Sequence, residues 1–216
     1  MKILNLYAGI GGNRKLWGDE HEITAVEINP EIAAIYQDFF PNDKVIVADA
    51  HKFLLEHYKE FDFIWSSPPC PTHSDIRRCG VQAGQYEAKY PDMQLYQEII
   101  LLMHFTKCKF VVENVRGYYN PLIKPQEIHR HYFWANFPIP QKRTYDQRVH
   151  NDIIGSQIVY GFDINKFKAE NKRKILRNMV NPEIGLHIFN CAFKEKQQTL
   201  KLEYFKKKET IVSKKD

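Results

Sequence analysis

The chain has 216 residues, 44% of them hydrophobic and 26% charged, with a formal net charge of +5. That length holds one core of ordinary size with a small appended subdomain and argues against two large domains, while the composition excludes a disordered chain. No apolar run approaches the roughly 20 residues that a membrane helix needs, and the apolar start "MKILNLYAGIGG" breaks into glycines too soon for a secretory leader, so an intracellular protein is expected.

In chain order, "KILNLYA" (2–8) is a β-prone apolar run that breaks into "GIGG" and then "NRKLWG", a pattern predicting strand, glycine turn and helix start. "EITAVEI" (22–28) predicts a second strand, and "NPEIAAIYQDFF" (29–40) a helix with Asn29 at the N-cap and Pro30 at the first helical position. "KVIVAD" (44–49) and "FDFIWSS" (61–67) read as strands separated by the helical pattern "AHKFLLEHYKE". "DMQLYQEIILLMHFTK" (92–107) has apolar residues at helical spacing with Asp92 as a cap, and it leads into the apolar strand "KFVVENVRG" (109–117). "HRHYFWANF" (129–137) is a further strand, and "PEIGLHIFNCAF" (182–193) an amphipathic helix started by Pro182 after Asn181. Between them, residues 138–173 show no sustained period and are expected to form an inserted loop or small subdomain; the tail at 201–216 is basic. Strands alternating with helices at this spacing imply an α/β fold, a mostly parallel sheet with helices on both faces.

The four cysteines, Cys70, Cys79, Cys108 and Cys191, form no C-x-x-C pair, which points to reduced thiols in a cytosol rather than to a zinc site or a disulfide framework. Charge is unevenly spread: residues 1–64 carry six Lys+Arg against eleven Asp+Glu, and the remainder 25 against 15. An acidic start and a basic remainder suit a small-molecule site followed by a polyanion-binding surface, with plainly solvated lysines as the alternative.

Three constellations carry chemistry. Tyr7 to Gly12, "YAGIGG", follows a strand, where glycines let a ligand approach the backbone. Glu27 ends the second strand and Asp49 the third; carboxylates at successive strand ends in such a sheet face the ligand crevice and can accept hydrogen bonds from ribose hydroxyls or an exocyclic amine, which implies a nucleoside-containing cofactor. The loop "SSPPCPTHS" (66–74) presents Cys70 behind two prolines at the mouth of the same crevice, where a thiolate would be a nucleophile. Glu113 and Asn114 of "VVENV" end the fifth strand, and a carboxylic acid there could donate or accept a proton. Taken singly, each acid also reads as a helix cap or solvated turn, and Cys70 as a residue of a stiff turn.

Together, "LNLYAGIGGNRKLWG", "VEINPEIAAIY", "VADA", "SSPPCPTHS", "MQLYQEIILLM" leading to "KFVVENVRG", and "LRNMVNPEIGLHIFNCAF" resemble, in order and spacing, the C5-cytosine DNA methyltransferases. The resemblance covers residues 1–137 and 174–193 and is specific in its Pro-Pro-Cys and Glu-Asn-Val segments; methyltransferases acting on amino groups carry an aromatic residue where Cys70 stands. It implies a Rossmann-like S-adenosylmethionine-dependent methyltransferase fold, with a catalytic cofactor-binding domain at 1–137 and 174–200 and a very small target-recognition region at 138–173. The implied cofactor is S-adenosylmethionine, held by Tyr7 at the adenosine pocket, Gly9, Gly11 and Gly12 on the methionine side, Glu27 at the ribose, Asp49 at the adenine, Pro69 beside the methyl group and Asn178 closing the site. The implied partner is double-stranded DNA in the cytoplasm of a bacterium or phage-infected cell, in the setting of restriction-modification, with a homodimer or partner subunit to help recognise the target.

The resemblance further implies that Cys70 adds to C6 of a flipped cytosine while Glu113 stabilises the adduct, with Pro68 and Asn114 in the substrate loop. Three departures accompany it. Pro71 stands where the family has Gln after the cysteine. The family's Gln-x-Arg-x-Arg segment, whose last Arg contacts cytosine O2, has no clean copy: Arg130 in "IHRHYFWANF" is the preferred counterpart, and Arg143 in "PQKR" the alternative. The recognition region is short, which suits a short or relaxed target. A catalytically silent DNA-binding module and an RNA cytosine-5 methyltransferase are the competing readings.

Overall fold

The computed structural model describes residues 1–142 and 153–194, with backbone alone at 153, 154, 156 and 158. Seven strands form one sheet: β1 (Lys2–Leu6), β2 (Glu22–Glu27), β3 (Lys44–Val47), β4 (Phe63–Ser66), β5 (Lys109–Val115), β6 (Gln126–Ile128) and β7 (His131–Ala135). Their order is β3-β2-β1-β4-β5-β7-β6, parallel from β1 to β5, with β7 antiparallel to both β5 and β6. The central strands β1, β4 and β5 are buried along most of their length because both faces are covered.

On the face of Ile3, Phe63, Trp65 and Val111 lies α7 (Pro182–Phe193), which contributes Ile184, Ile188, Phe189 and Ala192 at helical spacing. On the face of Leu4, Ile64, Phe110 and Val112 lie α2 (Ala50–His57) and α4 (Gln94–Phe105). The helix α1 (Pro30–Phe39) packs Ile35 and Tyr36 near Ala25. Its Asn29 cap accepts from the N–H groups of Glu31 and Ile32, and Asn181 caps α7 in the same way, each with proline at the first helical position.

Several expectations need correction. No helix follows the first glycine turn: residues 12–17 run as turns. Three side chains of that stretch point inward to unrelated partners. Asn13 donates to Asn5 Oδ1 (2.8 Å), Arg14 grips Asp43 through Nε and Nη2 (2.9 and 3.1 Å), and Trp17 donates to the Gly185 carbonyl (3.3 Å). A Cβ on Gly185 would collide with the Asn13 backbone, so α7 presses directly on the turn.

Helix α4 starts at Gln94 with Met93, not Asp92, at its N-cap; Asp92, one residue earlier, accepts from the Gln94 N–H at 3.1 Å. The strand expected over 129–137 is β7 alone, and residues 129–130 form the turn that joins it to β6. Neither β6 nor α3 (Asp75–Gln82) has a marked signal in the sequence.

The stretch expected as an inserted loop or small subdomain holds α5 (Ile153–Tyr160), and α6 (Lys172–Arg177) follows at its end. Its apolar residues Phe162 and Ile164 are buried in the cluster with α1, where Phe162 meets Phe39 edge to face at 4.8 Å. The basic tail at 201–216 lies outside the described residues. Among the described residues no helix is long and apolar enough to cross a membrane.

Candidate active site

The chain leaves β1 toward β2 and β3 on one side, and β4 leads to β5 on the other, so the sheet has its topological switch point between β1 and β4. Ligands of open α/β sheets bind in the crevice outside the carboxyl ends of the strands at such a point. The turn after β1 and the loop after β4 flank it.

Tyr7, the first residue of the β1 turn, has a left-handed backbone (φ 54°), a conformation that a non-glycine residue keeps only when its surroundings enforce it. Its hydroxyl donates to Glu98 Oε1 at 2.5 Å. Burial and the Glu98 carboxylate both push the phenol far above its ordinary range, so it remains a donor. Gly9 is also left-handed (φ 55°), and a Cβ there would meet nothing within 4 Å, which leaves open space over the backbone. At Gly12 a Cβ would collide with the Met179 side chain and the Val180 carbonyl, so the segment after α6, which begins at Asn178, closes on the glycine turn from the other side. Gly11 packs against Tyr36 and Phe40.

Glu27 is buried and bidentate. Oε2 accepts from the Gly9 N–H at 3.0 Å and Oε1 from the Asn29 N–H at 2.9 Å, which joins the end of β2 to the β1 turn. Asp49 caps α2 with Oδ1, taking the His51 and Lys52 N–H groups at 3.0 and 3.2 Å, and among the described residues no donor reaches its Oδ2. Open backbone at Gly9, an aromatic residue at the rim and a carboxylate oxygen that no donor among the described residues meets fit a nucleoside-bearing methyl donor.

The loop after β4 is built differently. Pro68 is buried, Pro69 exposed and Cys70 half-buried. The Asn114 amide donates to the Pro68 carbonyl at 3.0 Å, and its oxygen accepts from the Val115 N–H at 3.0 Å, so β5 holds the loop through a side chain whose polar groups are both engaged. The Cys70 carbonyl accepts from the N–H groups of His73 and Ser74 (3.0 and 3.1 Å), which turns the chain sharply into α3. His73 is in turn held by Tyr119, Nδ1 to hydroxyl 2.7 Å. Pro71 lies exposed in that turn.

Cys70 and Glu113 stand within electrostatic reach of each other. Burial pushes the Cys70 thiol up, and the negative charge of Glu113 pushes it further. Glu113 is itself buried on β5. Its second neighbour has no clear signal in the sequence: His131 Nε2 lies 3.7 Å from Glu113 Oε1. In the antiparallel register Glu113 faces Phe133, so His131 stands diagonally across on the same face. Arg130 occupies the exposed β6–β7 turn, where its carbonyl accepts from the Arg116 N–H at 2.7 Å. Arg143 lies outside the described residues.

A family model described as C-5 cytosine-specific DNA methylase matches residues 1–131. The chain belongs to that family. It is a cytosine methyltransferase with the Rossmann-like methyltransferase fold, and S-adenosylmethionine is its methyl donor. Among solved structures it is similar to the methyltransferase EhMeth of Entamoeba histolytica, at 10% identity and a TM-score of 0.52 over 90% of this chain and 99% of that one. DNMT2 of Spodoptera frugiperda matches at 23% identity and a TM-score of 0.44 over 67% of this chain; the C5-cytosine chain here spans 53% of its length. A putative DNA modification methyltransferase encoded within an Escherichia coli prophage matches at 19% identity and a TM-score of 0.37, over 56% of this chain and 33% of that one. A search of curated proteins finds no match.

Proposed function

We propose that this methyltransferase acts on C5 of cytosine in DNA through a covalent bond between Cys70 and C6. The observation that carries the reading is a half-buried Cys70 at the switch point of the sheet within electrostatic reach of the buried Glu113 carboxylate. C5 of an aromatic pyrimidine is a poor nucleophile. Attack of a thiolate at C6 forms an S–C6 bond, and a proton delivered to N3 completes an enamine whose C5 is electron-rich.

Cys70 and Glu113 suit both halves of that step. A thiol beside a carboxylate and a thiolate beside a carboxylic acid carry the same net charge, so the proton can pass from sulfur to Glu113 without new charge being buried. Glu113 then passes it to N3 as the sulfur attacks. S-adenosylmethionine, when bound, supplies the electrophilic methyl group that C5 accepts. Loss of the C5 proton to water and cleavage of the S–C6 bond restore the aromatic ring and the thiolate, and the N3 proton returns to Glu113.

C6 is inaccessible in a stacked duplex, so the target base is flipped out at a cost of a few kcal/mol that phosphate contacts supply. Arg130 and Arg143 are the proposed cations nearest the target, Asn178 closes the cofactor site, and residues 138–173 serve target recognition, alone or with a second subunit. The setting proposed is the cytoplasm of a bacterium or phage-infected cell, with restriction-modification as the use.

The test is transfer of labelled methyl from S-adenosylmethionine to duplex DNA and, in parallel, to transfer RNA. Label in DNA and a covalent complex trapped on 5-fluorocytosine DNA are expected, both absent in Cys70→Ser. Label confined to RNA would turn the substrate assignment over, and an active Cys70→Ser enzyme the mechanism.

A further inference from the structure

The apolar helix α4 carries one acidic residue on its buried side, Glu98, whose side chain has no solvent exposure. Burying an ionised carboxylate costs several kcal/mol unless donors meet it. Here three do, each from a different element. The Tyr7 hydroxyl donates to Oε1 from the turn after β1 (2.5 Å), His51 Nδ1 meets the same oxygen from the first turn of α2 (3.0 Å), and the Ser66 hydroxyl donates to Oε2 from the last residue of β4 (2.6 Å). A carboxylate that only completed the core would have no need of partners from both loops that border the crevice. This one holds the left-handed Tyr7 at the rim of the cofactor turn and Ser66 at the root of the loop that ends in Cys70.

We infer that Glu98 is a positioning residue that locks the cofactor turn and the nucleophile loop into one unit, with His51 as its counter-charge. The nucleoside donor then binds a turn already shaped for it, and the same anchor sets where Cys70 stands relative to that donor. The inference rests on the donor binding at the β1 turn.

His51 gives the anchor a dependence on pH. Hydrogen bonding to Glu98 raises the imidazole above its ordinary value against the opposing effect of burial, and Asp49 at the head of its own helix and Asp92 before α4 act in the same direction. The other polar groups at the anchor, Tyr7 and Ser66, stay neutral donors to Glu98. The ion pair is therefore complete at low pH and is lost as pH rises through the raised His51 value.

The experiment is calorimetric binding of S-adenosylhomocysteine to the full chain across about pH 6 to 9, a range that spans imidazole titration. Wild-type affinity should weaken as pH rises. Glu98→Gln should bind about tenfold more weakly at the low end, a loss equivalent to one charge-assisted hydrogen bond, and lose the pH slope. His51→Gln, a partly exposed position that keeps a donor, should lose the slope while binding within about threefold of wild type; it carries the test if Glu98→Gln does not fold. A slope in His51→Gln equal to that of wild type overturns the inference. Glu27→Ala separates the underlying reading: if it binds as wild type does, the donor site is misplaced; if it fails to bind while Glu98→Gln and His51→Gln behave as wild type, only the role of Glu98 falls.

Discussion

The Asn114 amide donates to the Pro68 carbonyl at 3.0 Å, and this single side chain fixes the nucleophile loop of β4 to the neighbouring strand β5. Glu113, one residue earlier, points to the opposite face because side chains alternate along a strand, so one of two adjacent residues of β5 holds the loop and the other acts electrostatically on Cys70. Asn114→Ala should cost about 1–3 kcal/mol of stability by leaving the buried Pro68 carbonyl without its donor. Methyl transfer should fall by about 10²-fold, the effect of a misplacement near 1 Å. Denaturant unfolding and kcat measure the two, and cofactor affinity should change little.

Cys70 is held as a thiol in the free protein, first by burial and then by the Glu113 charge. A raised thiol value means less thiolate at a given pH, so removing a cause of the rise increases reactivity. Glu113→Gln should therefore alkylate faster at Cys70 than wild type at neutral pH, with the pH midpoint of alkylation moved down, while methyl transfer is lost. Peptide mapping distinguishes Cys70 from Cys79, Cys108 and Cys191, all of them free. Slower alkylation in Glu113→Gln would contradict the coupling.

His131 and Arg130 separate two roles. His131 shares the face of Glu113 and lies 3.7 Å from its Oε1, whereas Arg130 stands exposed in the preceding turn. His131→Ala should lower kcat about tenfold, less than the roughly hundredfold or more of a group that itself transfers the proton. Arg130→Ala should raise the KM for DNA with kcat near wild type, the signature of lost uniform binding. A kcat loss confined to Arg130→Ala would return the catalytic role to the arginine.

Arg14 and Asp43 form a buried bidentate pair at 2.9 and 3.1 Å, with the Tyr36 hydroxyl on the same Asp43 at 2.7 Å. Asp43→Ala strands a buried guanidinium and should cost about 3–5 kcal/mol in denaturant unfolding. A loss below about 1 kcal/mol, the range of exposed ion pairs, would show that Asp19, at 3.1 Å from Arg14, suffices.

The parallel core of the sheet and the caps of α1 and α7 were legible, because each rests on a local rule: continuous apolar runs and Asn-Pro at a helix start; Asp49, expected at the end of the third strand, lies past β3 and caps α2. The missing helix after Gly12 was not legible, since Asn13, Arg14 and Trp17 obey partners 8 to 168 residues away in sequence. Helix α5 was obscured by mixed composition. Glu98 did leave a trace, an acidic residue within an apolar helix face, but its three partners come from separate elements.

By itself, the sequence determined the family, the alternation of strands and helices that makes the parallel core, and the chemical types available: a cysteine behind two prolines, and carboxylates at or just past strand ends. Those are properties of short stretches, and short-range physics reads them. Only the tertiary structure decided that His131 stands beside Glu113, that Asn114 is committed to Pro68, and that Glu98 joins both loops. Each of these depends on strand register and on which face of an element is buried, and those are settled when distant segments pack together.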